Sequence, residues 1–208
     1  MRYDRSEAIR YMGARRDDKD AGVLADTAYL KLRNEVQARS VYRVLDCKVD
    51  SGGVLIGGEY FKSAKLAAHI KGCTRAVLLA ATLGAKVDIA LRRMAVANIA
   101  EGAAGQAVCT ALIETYCDET EEKISAEYGG LYFKPRFSPG YADWALTDQP
   151  RLLQMLDAPK RIGLTVTAGG MLAPVKSVTA VIGIAETCEE TAVSCASCAN
   201  NKNCIYKK

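Results

Sequence analysis

The sequence predicts a single-domain α+β fold for a chain of 208 residues. Helical spacing and runs of β-branched residues both occur, they do not alternate in steady βαβ units, and no internal repeat is visible. The length suits one sizeable hydrophobic core, because domains usually contain about 100–200 residues. We expect the folded unit to span residues 1–186 and residues 187–208 to form a cysteine-rich C-terminal tail.

The first part of the chain predicts two helices and a hairpin. Asp4 and Glu7 have the spacing of a capping box before a short helix. Apolar residues recur at every fourth position between Asp20 and Arg39, which favours a second helix. β-Branched and aromatic residues dominate from Val41 to Val49, and an Asp-Ser-Gly-Gly turn separates that run from the apolar residues 54–56. This pattern predicts a hairpin.

The middle of the chain predicts a short helix, a buried strand and a long helix. Ser63 can cap a helix that stops at Gly72. Residues 76–81 are all apolar, which indicates a strand buried on both faces. The pattern is then helical from about residue 86 to residue 128, and small residues at 102–105 permit either close packing or a kink.

A shaped loop is predicted where the sequence is RFSPGY, at residues 136–141. Pro139 lacks the N–H that a central strand needs, and Gly140 has no side chain to pack. Arg136 and Tyr141 add a fixed cation and an aromatic ring beside permissive backbone. This combination is typical of loops that bind ligands.

The pattern after this loop predicts one helix and two strands. Thr147 or Asp148 can cap a helix that has Pro150 in its first turn. Residues 164–167 and 177–184 have the composition of strands, joined by a glycine-containing irregular link.

Composition and charge argue against several functional classes. The formal charge of +4 comes from 28 basic and 24 acidic residues spread along the chain, without the basic stripe of a nucleic-acid-binding protein. No signal-peptide core and no run of about 18 apolar residues occurs, so we expect a cytoplasmic protein without a membrane partner. The single histidine, His69, has no neighbours that favour a catalytic triad or a cobalt-ligating switch.

Four of the eight cysteines crowd the C-terminal tail. Cys188, Cys195, Cys198 and Cys204 have the spacing C-x6-C-x2-C-x5-C, which can place four thiolates around one zinc ion or one iron–sulfur cluster. The alternative is a tail of reduced thiols without a metal. The spacing does not choose between these possibilities.

The RFSPGY loop and the segment that follows it resemble the activation (reactivation) domain of cobalamin-dependent methionine synthase, here in a freestanding form. That family binds S-adenosylmethionine with a loop of the form R-x-x-x-G-Y. Arg136, Gly140 and Tyr141 match its fixed positions, and Pro139 matches a common proline. Further along, four positions match the family's next segment in the same order: Met171, Pro174, Ser177 and Val178.

The resemblance implies a twisted, mostly antiparallel sheet with long packed helices. It also implies a cofactor-binding site for S-adenosylmethionine at Arg136, Pro139, Gly140 and Tyr141. In such a site Arg136 can bind the ligand carboxylate, and Tyr141 can supply either a ring face near the sulfonium or a hydroxyl to the ligand. The function implied is reactivation by reductive methylation of cob(II)alamin in methionine synthase, within methionine biosynthesis, or in a related corrinoid methyltransferase. The chain would be an accessory part of that methyltransferase activity.

The same resemblance implies partners that hold what this chain lacks. Cobalamin would be bound by methionine synthase or another corrinoid protein, and a flavodoxin or ferredoxin would supply the electron. A rival hypothesis from the residues alone is a non-catalytic metal-binding or redox scaffold that acts through the C-terminal cysteines.

Overall fold

The computed structural model describes residues 1–186, which fold into seven α-helices and eight β-strands. The helices are α1 Arg5–Tyr11, α2 Lys19–Leu32, α3 Ala64–His69, α4 Ala85–Ala97, α5 Ile99–Glu127, α6 Gln149–Leu156 and α7 Ala158–Ile162. The strands are β1 Arg39–Val49, β2 Gly53–Ile56, β3 Glu59–Lys62, β4 Arg75–Thr82, β5 Tyr132–Phe133, β6 Thr165–Val166, β7 Leu172–Ala173 and β8 Ser177–Ala185.

Six strands form the main sheet in the order β3-β2-β1-β4-β8-β5, and every neighbouring pair is antiparallel. The sheet separates α1, α2, α4 and α5 on one side from α3, α6 and α7 on the other. The predicted α+β class, with an antiparallel sheet and long packed helices, is confirmed.

Strand β4 lies in the middle of the sheet and is buried on both faces, as predicted. Ala76 and Leu78 face the core shared with α3, α6 and α7. Val77 and Leu79 face the opposite core, which contains Ile124 of α5. Each apolar side chain of β4 that leaves water on either face contributes to the hydrophobic free energy of folding, which explains the wholly apolar sequence of residues 76–81.

Local capping rules correctly predicted two helix starts. Asp4 accepts a hydrogen bond from the N–H of Glu7 at 3.0 Å and begins α1. Ser63 accepts one from the N–H of Leu66 at 2.9 Å and begins α3. Each cap satisfies an amide that has no partner within its own helix, so these starts depend on few residues.

The predicted helix over residues 86–128 is two helices, and the break falls at Asn98. Its backbone is extended, with φ −155° and ψ 118°, and its side-chain oxygen accepts from the N–H of Ala100 at 2.9 Å to start α5. The small residues at 102–105 serve close packing. A Cβ added at Gly102 would lie 2.6 Å from Cα of Ala95, so only glycine lets α4 approach α5 this closely.

The second helix is shorter than predicted. It ends at Leu32, and β1 begins at Arg39. Between them the N–H of Gln37 donates to the carbonyl of Leu83 at 2.9 Å. The chain therefore pairs with Leu83, directly after β4, instead of continuing the hydrogen bonds of α2. The apolar repeat could not predict this contact, because it joins residues that are distant in sequence.

One strand was not predicted, one strand prediction changes and one is confirmed. Residues 59–62 form β3, which the sequence did not predict, and pair with β2. The strand predicted over 164–167 is reduced to β6, which pairs with β7 in a separate two-stranded sheet. The strand predicted over 177–184 is confirmed as β8.

None of the helices formed by residues 1–186 is both long and apolar enough to cross a membrane.

Candidate functional site

A cavity of about 520 Å³ lies where α5, the RFSPGY loop and the start of β8 meet. Its volume is within the range of roughly 300–1,000 Å³ that is usual for small-molecule sites. The lining combines carboxylates of α5, residues of the loop and the proline before it, the first residue of α6 and side chains of β7 and β8: Glu114, Asp118, Glu121, Pro135, Arg136, Ser138, Pro139, Tyr141, Gln149, Leu172, Ser177, Val178 and Thr179.

Backbone contacts fix the RFSPGY loop at two points. Phe137 exchanges two hydrogen bonds with Val181 of β8, at 2.9 and 2.8 Å. The N–H of Gly140 donates to the carbonyl of Trp144 at 2.7 Å. Gly140 has φ +92°, a conformation that favours glycine, and a Cβ there would lie 3.2 Å from Leu146. The turn at Gly140 presents the loop to the cavity.

Arg136 is held by three carboxylates that we call the carboxylate cluster: Glu114, Asp118 and Glu121 of α5. Its NH2 nitrogen donates to Glu114 at 2.8 Å, and its NH1 nitrogen donates to Asp118 at 2.8 Å and also to Glu121. The Arg136 side chain is 19% exposed. Three carboxylates against one guanidinium leave a net negative charge at the cavity wall.

Burial and the cluster shift two pKa values in the site. Burial alone would lower the pKa of Arg136, but the charge and hydrogen bond of Glu121 and the hydrogen bond of Asp118 outweigh it and raise this pKa. Burial raises the pKa of Glu121, and the attraction of Arg136 opposes that rise without cancelling it. A guanidinium stays protonated in proteins, so we assign the pair as ionised near neutral pH. Glu121 takes up a proton at a higher pH than an ordinary glutamate.

The structure brings the predicted loop residues together. Arg136, Pro139 and Tyr141 line the cavity, and Gly140 forms the turn between them. Tyr141 is 59% exposed, and its ring meets that of Phe137 edge-on at 6.1 Å between centroids. Tyr141 is therefore available to a ligand rather than placed in the core. The role of these four residues in binding stays a prediction.

The structure adds a feature that the sequence analysis missed. Glu114, Asp118 and Glu121 follow one another at intervals of four and three residues, so they share one face of α5. This spacing in the sequence could have predicted an acidic face on the helix. Its position opposite Arg136, however, depends on how α5 packs on the sheet.

The position of His69 is another feature that the sequence did not indicate. Its Nε2 lies 2.7 Å from the carbonyl oxygen of Pro135, directly before Arg136. The imidazole ring is also 5.2 Å from the ring of Phe137. His69 contacts the backbone and a side chain at the base of the loop, which makes it a structural neighbour of the candidate site.

The predicted metal site lies outside the described residues, because Cys188, Cys195, Cys198 and Cys204 all belong to residues 187–208. That site and the scaffold function built on it stay predictions. Within residues 1–186, no group of three or more histidine, cysteine, aspartate or glutamate side chains is arranged to hold a metal ion. The four cysteines in that range are buried: Cys47, Cys73, Cys109 and Cys117.

Comparisons with known proteins give one informative result. No protein-family model matches the sequence, and a search of curated proteins finds no significant match. Among solved structures, the chain is similar to a crystal structure of the MetH reactivation domain bound to AdoHcy, with a TM-score of 0.62 and 14% sequence identity. The match covers 85% of this chain and 68% of that chain. The chain therefore shares its fold with the MetH reactivation domain.

Proposed function

We propose that this chain binds S-adenosylmethionine in the cavity beside Arg136 and serves as an activation subunit for a corrinoid methyltransferase. The observation that carries the proposal is the coincidence of three features at one place. Arg136 and Tyr141 of the R-x-x-x-G-Y motif line a cavity of suitable size, a carboxylate cluster faces the same space, and the fold is that of a domain solved with AdoHcy.

Charge complementarity supports this ligand. S-adenosylmethionine has a carboxylate, an ammonium and a sulfonium, so it is a net cation. The cavity wall provides Arg136 for the carboxylate and an excess of carboxylates for the two cationic groups. S-adenosylhomocysteine has a neutral thioether in place of the sulfonium. The charge of the wall therefore favours the methyl donor over its demethylated product.

We propose that ligand binding rearranges the contacts of Arg136. In the structure its NH1 and NH2 nitrogens both donate to carboxylates. Asp118 is the most exposed of the three partners, at 59%, compared with 38% for Glu114 and 23% for Glu121. We propose that the ligand carboxylate takes the place of Asp118, because an exposed carboxylate regains its hydration when it is released.

The chemistry proposed needs positioning more than proton transfer. S-adenosylmethionine supplies a methyl group on a sulfonium, and the product is a neutral thioether. The residues of this chain would bind the two ends of the ligand and hold the methyl group at the open side of the cavity. The acceptor that we propose is the reduced cobalt of a corrinoid held by a partner protein, with a flavodoxin or ferredoxin as the source of the electron.

Apolar side chains near the cavity support a partner at this face. Tyr141 lines the cavity, and Leu146 lies beside Gly140. Met171 and Val175 are close in sequence to Leu172 and Ser177 of the lining, and these four apolar side chains are between 46% and 60% exposed. Exposed apolar groups of this size around a pocket are typical of surfaces that another molecule covers. We propose that methionine synthase or another corrinoid protein docks here.

The test is calorimetric titration of S-adenosylmethionine into the wild-type protein and the variants Arg136→Ala and Arg136→Lys. We expect wild-type binding in the micromolar to millimolar range and a loss of about 100-fold or more in Arg136→Ala, because one charge-assisted bidentate contact is removed. Arg136→Lys should recover only part of the affinity, because an ammonium cannot make the two parallel hydrogen bonds of a guanidinium.

Arg151→Ala is the matched control, since Arg151 also pairs with carboxylates but is absent from the lining of this cavity. We expect it to bind S-adenosylmethionine within about twofold of wild type, which is the scale of a minor change in free energy. Equal affinity of the wild type and Arg136→Ala, or no wild-type binding at millimolar ligand, would contradict the proposal.

A further inference from the structure

Helix α3 contacts the segment that contains the RFSPGY loop at both of the helix ends. At its N-terminal end, the carboxylate of Asp143 accepts hydrogen bonds from the hydroxyl of Ser63 at 2.5 Å, from the N–H of Ala64 at 2.9 Å and from the N–H of Lys65 at 3.2 Å. The first amides of a helix have no partner within it, so a carboxylate from elsewhere in the chain stabilises both the helix end and its own position.

At the C-terminal end of α3, His69 lies against the start of the same segment. Its Nε2 is 2.7 Å from the carbonyl oxygen of Pro135. A carbonyl oxygen can only accept, so Nε2 carries the hydrogen in this contact. The ring of Phe137 is 5.2 Å from the imidazole and tilted by 41°.

These two contacts enclose the predicted binding residues. The chain from Pro135 to Asp143 includes Arg136, Pro139, Gly140 and Tyr141. Within that stretch the backbone pairs with β8 only through Phe137 among the contacts described for residues 1–186. A loop that is ordered before the ligand arrives avoids the entropy cost of ordering during binding.

We propose that α3 is a clamp for the RFSPGY loop, in which Asp143 and His69 are positioning residues that hold Arg136 and Tyr141 at the cavity. The expected effect of this clamp on ligand affinity rests on the proposed function. Its effect on the loop itself can be measured without any ligand.

The ionisation of Asp143 is consistent with such a contact. The hydrogen bond from Ser63, followed by those from the amides of Lys65 and Ala64, lowers the pKa of Asp143 below its ordinary value. The carboxylate is therefore charged throughout the neutral range in which a binding experiment would be carried out.

The first experiment compares Asp143→Ala with Asp50→Ala. Asp50 is a matched control, because it also accepts from two backbone amides and one hydroxyl, those of Gly52, Gly53 and Tyr60. It lies at the β1–β2 turn, and none of these contacts involves the loop. Hydrogen–deuterium exchange of the ligand-free proteins should show the amides of residues 136–144 exchanging about tenfold faster in Asp143→Ala, and unchanged in Asp50→Ala.

The second experiment separates the hydrogen bond of His69 from its ring contact. His69→Phe keeps an aromatic ring against Phe137 but removes the donor to Pro135. His69→Gln restores an amide donor near the position of Nε2. We expect faster exchange of residues 136–144 and about fivefold weaker binding of S-adenosylmethionine in His69→Phe, with recovery to within about twofold in His69→Gln.

The outcomes distinguish the clamp from the proposed function. Unchanged exchange of residues 136–144 in both Asp143→Ala and His69→Phe would overturn the clamp, whatever the ligand does. If the wild type does not bind S-adenosylmethionine but these variants loosen the loop, the clamp stands and the proposed ligand is wrong. Near wild-type affinity in His69→Phe together with a loss of affinity in His69→Gln would show that the ring of His69, and not its hydrogen bond, positions the loop.

Discussion

Two arginines in this protein are each paired with carboxylates, but they lie in opposite kinds of surroundings. Arg136 faces the carboxylate cluster at the wall of a cavity. Arg151 belongs to a region that we call the tryptophan corner, formed by Phe61, Trp144, Asp148 and Arg151. There the guanidinium pairs with Asp148 at 2.6 Å and lies over the ring of Phe61 at 5.0 Å.

The polar groups of the tryptophan corner satisfy one another. The indole N–H of Trp144 donates to one carboxylate oxygen of Asp148 at 2.8 Å, and Arg151 donates to the other at 2.6 Å. Trp144 and Asp148 are both buried. Satisfied and closed polar groups of this kind fix a fold. At Arg136, by contrast, carboxylates outnumber the cation beside open space, so this wall of the cavity keeps a net negative charge.

The largest expected effect is a loss of protein stability when the tryptophan corner is mutated. Trp144→Phe should lower the free energy of unfolding by about 2–3 kcal/mol, because it shrinks a buried side chain and leaves an oxygen of Asp148 without its donor. Urea unfolding measures the change. The affinity for S-adenosylmethionine should stay within about threefold of wild type, because the backbone carbonyl of Trp144 still accepts from Gly140. A larger loss of affinity than of stability would place the corner in the binding site.

A smaller effect on stability is expected from Arg136→Met at neutral pH. It should lower the free energy of unfolding by about 2 kcal/mol, because it leaves three carboxylates facing one another and Glu121 is largely buried. Arg151→Met should cost only about 0.5–1 kcal/mol, because Arg151 is 38% exposed and solvent screens its ion pairs.

The pH dependence of the same two variants sharpens the comparison. The pKa of Glu121 is raised in the folded protein. The stability that this shift contributes is therefore present at low pH and is lost as the pH rises through the raised pKa. Removing Arg136 takes away the attraction that opposes this rise. The deficit of Arg136→Met relative to wild type should therefore shrink as the pH is lowered to about 5. A deficit that grows on acidification would contradict this account of the cluster.

The smallest expected effect concerns the charge of the ligand. The wild type should prefer S-adenosylmethionine over S-adenosylhomocysteine, and Glu121→Gln should reduce that preference by about three- to tenfold, because a partly buried carboxylate acts on the sulfonium with little screening. Asp118→Asn is the matched control, and its effect should be smaller because Asp118 is 59% exposed. Calorimetric titration with both ligands provides the measurement. An equal preference in all three proteins would show that the carboxylate cluster does not contribute to ligand recognition.

Contacts between residues close in the chain were predictable. The caps at Asp4 and Ser63 join groups three residues apart, and the apolar run of β4 follows from its burial on two faces. The RFSPGY loop was predictable as well, because proline and glycine restrict the backbone wherever they occur. The similarity of the fold to the MetH reactivation domain agrees with the resemblance carried by that loop.

Predictions from periodicity failed where tertiary contacts compete with local ones. The helix predicted over 86–128 contains a break at Asn98, because the side chain of this residue starts a new helix that folds back on α4. The helix predicted over 20–39 ends early, because Gln37 pairs with Leu83. In both places the apolar pattern continues while the backbone direction changes, so the pattern alone could not locate the end of the helix.

The sequence by itself determined the fold class, the main elements and the loop that presents Arg136 and Tyr141, because these depend on backbone preferences and on apolar patterns within each segment. Only the tertiary structure decided what faces that loop. Arg136 meets Glu114 across 22 residues of sequence, His69 meets Pro135 across 66, and Asp143 meets Ser63 across 80. Such contacts depend on how α3 and α5 pack against the sheet, and the free energy of that packing is shared among many side chains rather than contained in any one motif.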